Sequence, residues 1–268
     1  MKLFLTISLS LLSFLCVAQK DSITLLRSYN GDISTVAIDN LDNLYIVSSS
    51  GQIKKLNNRG DSVAIFNGVR NYGLLQAIDV TNPLKPLLFY KDFSTVVILD
   101  RLLSRRTSLD LRRFNVLQPS AIGLSYDNNI WVFDQFDNKL KKLDDGGNLL
   151  MQTTDFRQLF NHTLSPQRII NDGGFVYLAD SAKGIYVFDN YGAFKRRIDL
   201  KGWQSLDVWD GRLVRLTGNG IAVYNPSNFT EQSQAFPSSF VPYLHAFTNQ
   251  NKLITFSKDS LRIYRLGY

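Results

Sequence analysis

Few side chains in this sequence are of a type, or at a spacing, that performs chemistry. The two histidines, His162 and His245, stand more than eighty residues apart and form no local metal-ligand pair. The only cysteine is Cys16 and the only glutamate is Glu231. No G-x-S-x-G elbow, P-loop or H-E-x-x-H pair occurs. What remains is aspartate and hydroxyl chemistry. Asp79, Asp207, Ser125 and Tyr126 lie on or just after short apolar runs, and converging on one opening they could bind a polar ligand or move a proton. The stretches Asn40–Asn43, Asp127–Asn129, Asp144–Gly147 and Asp172–Gly174 have the look of calcium sites. None carries the D-x-[DN]-x-[DN]-G loop with its distal glutamate. Asp, Asn and Gly also accept left-handed turn geometry, and turn chemistry is the better account of these clusters. No metal and no cofactor is expected.

The elements that must position these residues repeat along the chain. The clearest unit runs Val36–Ser48, Gly51–Asn57 and Gly60–Phe66. It recurs as Ala121–Asp134, Asn138–Asp144 and Gly147–Leu150, and again as Ile169–Asp180, Gly184–Asp189 and Gly192–Ile198. Each copy reads as four short strands separated by turns, the second rich in aromatic and β-branched residues. Weaker copies fill Ala77–Leu109, Ser205–Gln234 and Leu244–Leu266. Second strands open near Asn43, Lys85, Asn129, Gly174, Arg212 and Lys252, roughly 38 to 45 residues apart. Four strands at that period predict an all-β chain, a six-bladed β-propeller. The last copy has only three strands, and an orphan strand, Ile23–Tyr29, precedes the first. Pairing the two completes the last blade with the mature N-terminal strand and leaves no sheet edge open at the closure. A two-layer β-sandwich predicts neither the period nor the matching orphan.

Met1-Lys2, an apolar stretch from Leu3 to Leu15 and Cys16-Val17-Ala18 describe a secretory signal peptide, residues 1–18, with the propeller spanning 19–268. Cleavage after Ala18 removes the one thiol, which suits an oxidising compartment. With 44% hydrophobic and 12% aromatic residues among 268, the chain is not a disordered one. Past the leader no apolar run is long enough to span a bilayer as a helix. The expected address is the periplasm or the outer-membrane periphery, with peripheral rather than transmembrane contact.

The formal net charge is +7, and the densest basic segment is Arg101–Phe114, holding Arg101, Arg105, Arg106, Arg112 and Arg113. Nucleic acid is not the expected partner of an exported protein. An acidic protein or an anionic surface fits better, and the plainer reading is a solvated outer strand whose charges protect the blade edge. A second candidate surface is the Asn225–Tyr243 connection, where Phe236, Phe240 and Tyr243 stand between prolines. These aromatics suit either a protein contact or a plug between adjacent blades. The Asp155–Leu164 insert is expected to form one helical turn over a ring face. Glu231 is read onto an outer strand, away from the channel.

The units built on Asn43–Val47 and Asn129–Phe133, each followed by a Lys-Lys-Leu strand, resemble NHL and related six-bladed propellers. The stretch from Lys85–Phe93 to Asn138–Leu143 is similar to exported propeller proteins of Bacteroidetes. The second unit departs from the NHL pattern, with Asn82-Pro83 in place of an Asp-Gly-Asn turn, and no NHL functional residue is carried over. The resemblance implies a non-catalytic scaffold or accessory subunit of envelope machinery, the type IX secretion system included, with an envelope protein as partner. Six-bladed propellers also include metal-dependent lactonases with Glu, Asn and Asp ligands along the channel. The alternative is therefore a sugar- or lactone-processing enzyme with its site there.

Overall fold

The second strand of each unit is apolar on both sides because it is covered on both sides. In the computed structural model, which describes residues 23–218, 220–236 and 245–266, the chain forms six four-stranded antiparallel sheets. Blade 1 is β2 (Thr35–Ile38), β3 (Leu44–Val47), β4 (Gln52–Leu56) and β5 (Ser62–Asn67). A short helix α1 (Val69–Tyr72) leads to blade 2, which is β6 (Ala77–Asp79), β7 (Leu87–Tyr90), β8 (Thr95–Leu99) and β9 (Arg105–Asp110). Blade 3 is β10 (Pro119–Leu124), β11 (Ile130–Asp134), β12 (Lys139–Leu143) and β13 (Leu149–Gln152), followed by α2 (Phe156–Phe160). Blade 4 is β14 (Arg168–Asp172), β15 (Phe175–Asp180), β16 (Gly184–Asp189) and β17 (Phe194–Ile198). Blade 5 is β18 (Ser205–Trp209), β19 (Arg212–Thr217), β20 (Gly220–Asn225) and β21 (Thr230–Ala235). Blade 6 is β22 (His245–Asn249), β23 (Lys252–Phe256) and β24 (Ser260–Leu266), completed by β1 (Ile23–Asn30).

The protein is thus a six-bladed β-propeller. The closing pair runs antiparallel from Ile23 opposite Leu266 to Asn30 opposite Ser260, with an irregularity between Leu25 and Arg27. Backbone bonds from Gly31 to Asp259 and from Ile33 to Lys258 extend the closure, and the Asp32 carboxylate accepts from Ser49 N–H and Oγ–H of blade 1. The observed second strands begin within two residues of the predicted openers.

The core is six wedges, one per seam. Strand periodicity sends alternate residues to opposite neighbours. On β11, Ile130 and Val132 pack on blade 2 while Trp131 and Phe133 pack on blade 4. On β7, Leu87 and Phe89 face blade 3 while Leu88 and Tyr90 face blade 1. Each such side chain contributes about 1.5–3 kcal/mol on burial. Inner strands approach closely enough to dictate residue size at one point: a Cβ on Gly123 of β10 would stand 2.5 Å from the Ile169 carbonyl oxygen of β14.

The Lys-Lys-Leu strands do not simply display their charge. Lys55, Lys141 and Lys142 are buried. Lys141 Nζ donates to Asp134 at 2.8 Å and to the Asn115 carbonyl at 2.8 Å, and pairs with Asp137. Lys142 bonds Asp127 at 2.6 Å and lies over the rings of Tyr126 and Trp131. Lys55 lies over Tyr45 and donates to the Arg101 carbonyl across the seam between blades 1 and 2. Burial alone would raise the Asp134 carboxyl, but Lys141 and the N–H groups of Gln118 and Leu117 hold it below the usual carboxylate range.

Candidate functional site

Three surfaces qualify: the central channel and the two ring faces. The six inner strands enclose a channel cavity of about 630 Å3. Its wall is mixed in character all the way round. Apolar residues such as Val36, Ile78, Ile122 and Ile170 alternate on it with polar ones such as Asp79, Arg168, Asp207 and Asn249.

The polar groups of the wall serve mainly as latches between blades. Asp79 Oδ2 accepts from Leu124 N–H of blade 3 at 2.7 Å, and its other oxygen accepts from Thr81 N–H. Asn171 of blade 4 accepts from Tyr126 N–H of blade 3 at 2.8 Å, and Asp172 from Gly211 N–H of blade 5 at 3.1 Å. Asp207 of blade 5 accepts from Gln250 N–H of blade 6 at 3.3 Å, and the Asn249 amide donates to the Ile38 carbonyl of blade 1 at 3.1 Å. A carboxylate used this way satisfies a neighbour's backbone donor and pins the angle between two sheets. Desolvation pushes the Asp207 carboxyl above its ordinary value, against the opposing pull of Arg168 and two backbone N–H groups.

Of the four channel candidates, Asp79 and Asp207 line the cavity. Ser125 is buried in the turn after β10, and Tyr126 is exposed at the tip of that turn beneath Lys142, so neither is on the wall. The period-2 pattern located the inner strand but not the residue at which the turn leaves the channel. His162 Nε2 shares a 2.7 Å hydrogen bond with the Tyr186 hydroxyl in the connection after α2, and His245 stacks on Phe256. Glu231 is on the outermost strand of blade 5, paired with Arg215 at 2.8 Å.

The Asp-rich turns all belong to the ring face that carries the turns from first to second and from third to fourth strands. Some of the oxygens at these turns are occupied locally: Asp39 accepts from the N–H groups of Leu41 and Asn43 and from the Tyr45 hydroxyl, and Asp144 from the N–H groups of Gly146 and Asn148. Asp42 and Asn128 take positive φ there, as turn chemistry requires. Between blades 2 and 3 this face has a hollow of about 570 Å3, lined by Lys85, Arg106, Asp127, Asn128, Asp144 and Asp145. Lys85 bonds the Asn128 carbonyl and Asp145 across the seam. Lys252, its counterpart at the start of the second strand of blade 6, reaches Asp42 of blade 1 in the same way.

The basic segment is not one continuous strand. Arg101 lies in the turn before β9, Arg105 and Arg106 lie on β9, and Arg112 and Arg113 fall beyond its end in a 3-10 turn, Leu111–Phe114. Asp110 stops the strand by accepting the Arg112 N–H, a capping geometry that the run of arginines concealed. Arg105 donates to the Tyr72 hydroxyl at 2.7 Å. Phe236 packs partly buried on the cluster between blades 5 and 6, as a plug would. Phe240 and Tyr243 lie outside the described residues. The insert before blade 4 does form a helical turn, α2, whose Phe156 is buried between Phe133 and Phe188.

No family model matches the chain, and no curated protein matches it. Solved structures do. Virginiamycin B lyase from Staphylococcus aureus is similar over 90% of this chain and 99% of its own, with 10% identity and a TM-score of 0.62. A Bacteroides fragilis protein inferred to be exported matches over 93% of this chain and 95% of its own, with 9% identity and a TM-score of 0.61. A propeller within the mitotic checkpoint complex matches over 90% of this chain and 78% of its own, with 13% identity and a TM-score of 0.59. Identities this low establish the shared architecture, which hosts many unrelated functions. Among the described residues no helix is long and apolar enough to cross a membrane.

Proposed function

We propose that this chain is an exported, non-catalytic propeller, processed after Ala18, that binds an envelope protein as a rigid accessory subunit. Type IX secretion machinery is the most specific setting that the sequence resemblance implies. The observation that carries the reading is the commitment of the channel carboxylates to neighbouring backbone: Asp79, Asp172 and Asp207 each accept an N–H from the next blade. Bonds of this kind give these carboxylates a structural task, holding neighbouring sheets together. The likeness to an exported propeller and to one inside a multiprotein assembly supports the same reading. Affinity purification from envelope membranes in mild detergent tests it. The expected result is a mature chain beginning at Gln19 and a co-purifying envelope protein in comparable amount; recovery of the propeller alone would end it.

One observation favours the enzymatic alternative. The channel wall holds Asp207, raised by burial, with Arg168 and a buried Thr248 hydroxyl that has no hydrogen-bond partner. A lactonase or lyase activity abolished by Asp207→Asn would establish that reading, and its absence across a lactone and cyclic-depsipeptide panel would retire it.

A further inference from the structure

The second ring face, which carries the turns from second to third strands and the crossovers between blades, is uneven in a way that latching does not explain. In blades 1, 4 and 6 those turns are small or polar: Ser48–Gly51, Ser181–Lys183 and Ser257–Asp259. In blades 2 and 3 the same turns raise Phe93 and Phe136, which are 51% and 62% exposed. The crossovers of that sector add Leu74, 63% exposed, and Leu117 and Leu159, each about half exposed. By contrast, the crossover into blade 5 turns Leu200 and Trp203 inward, and the one into blade 1 buries Ile33. Single exposed apolar residues need no explanation, but five large ones gathered in one sector of a face call for one.

These side chains stand on fixed supports. The Phe93 ring lies over Gly73, beside Leu74, where a methyl group would be 2.9 Å from it. Asp134 accepts the N–H groups of Leu117, Gln118 and Phe136, so one buried carboxylate sets two of the exposed residues next to each other. Asn138 bonds both the carbonyl and the N–H of Leu164, and its own carbonyl accepts from Phe156 N–H, which seats α2 and Leu159 over the same turn. Rigid apolar anchors lower the ordering cost of binding.

The border of the patch decides what kind of partner fits. The 3-10 turn between Phe93 and Leu117 presents Arg112 and Arg113, and these two guanidinium groups share the single carboxylate of Asp110. Two guanidinium groups carry more donors than one carboxylate can accept, so the surplus faces water. Arg70 and Lys91 have no carboxylate partner among the described residues, while Asp137 and Asp155 are already paired with Lys141 and Arg157. Asp92 is the one acid on this border without a cation among those residues. The unspent hydrogen-bonding capacity is therefore overwhelmingly that of cationic donors beside apolar anchors.

We infer that the blade 2–3 sector of this face is the docking surface for an acidic amphipathic segment of the partner protein, whose apolar side chains seat against Phe93 and Phe136 and whose carboxylates meet Arg112 and Arg113. The inference rests on the protein-binding reading above and specifies its face and its chemistry. In the cells that produce the protein, a photo-crosslinking phenylalanine analogue is placed in the full chain at position 93, 136, 84 or 191. The first two positions are in the sector; Leu84 and Tyr191 are exposed controls on the opposite face. Adducts from 93 and 136 that map to an acidic, apolar-spaced segment of another protein are expected, with yields falling at least tenfold when Arg112→Glu and Arg113→Glu are combined. Correct folding of that variant is checked by its unchanged elution volume and melting temperature. Protein adducts from 84 and 191 alone would overturn the assignment of face and leave the protein-binding reading standing. Adducts to lipid, or to a second copy of this chain, from 93 and 136 would overturn the partner chemistry. No protein adduct from any position would sink both readings.

Discussion

The seam between blades 3 and 4 and the seam between blades 5 and 6 join equivalent sheets by different means. The first is aromatic and keyed: Trp131, Phe133, Tyr186 and Phe188 from the two blades close around Phe156, which α2 inserts from the crossover. Phe156 stacks on Phe188 with centroids 5.1 Å apart and tilts against Phe160 at 5.4 Å. The second has an aliphatic buried centre, Val214, Leu216, Ile221, Leu253 and Leu266, with Phe236 and Tyr264 partly buried at its edge. Its channel side is held by Asp207, whose carboxyl burial disfavours in its charged form. A keyed seam fixes the turns above it and can carry rigid anchors, and it is this half of the ring that displays Phe136 and Leu159. A smooth seam contributes closure with less specificity.

The comparison can be broken by mutation. Phe156→Ala should cost about 3–5 kcal/mol, because the key leaves a cavity among rings that cannot collapse onto one another. Urea unfolding monitored by tryptophan fluorescence measures it, and a loss no larger than that of Leu216→Ala would dissolve the distinction between seams. Lys141→Met should cost about 3 kcal/mol near neutral pH by leaving the buried Asp134 without its cation. Since Asp134 is held below the ordinary carboxylate range when folded, its contribution is complete at neutral pH and disappears as pH falls through its folded value. The gap between variant and parent should accordingly narrow on acidification. Leu216→Ala in the smooth seam should cost about 2–3 kcal/mol. Asp207→Asn, which keeps an acceptor for Gln250, should raise the melting temperature at pH 7 by about 1–3 °C. The raised folded value makes the charged carboxyl unfavourable above its unfolded pKa, so that gain should vanish in acid, where the parent is protonated in both states. A parent more stable than the variant at pH 7 would show that the charged form is needed.

The blades were legible because their cause is local. A strand covered on both sides must be apolar at every position, so β7, β11 and β15 stand out at a fixed period, and the three-strand last copy requires the N-terminal strand as its mate. The site was less legible. The Lys-Lys-Leu strand carries no mark of burial at Lys141, which is explained only by the convergence of Asn115, Asp134 and Asp137 on its ammonium group. Arg112 and Arg113 looked like strand residues, because the cap made by Asp110 has no mark that separates it from the acidic turns. Phe93 and Phe136 are lone rings between polar neighbours, Asp92 and Ser94 in one case and Gln135 and Asp137 in the other. Polar flanks mark a turn, but not whether its ring packs inward or stays in water.

The repeat alone determined the number of blades, the order of their strands and the closure of the ring, since each depends on backbone pairing between neighbours close in sequence or on a count. Which polar groups became latches, and which aromatic rings stayed in water, was decided only when the wedges met. Those outcomes depend on distances between residues tens of positions apart, as between Asp79 and Leu124 or Gln135 and Ser165, and no local pattern encodes such a distance.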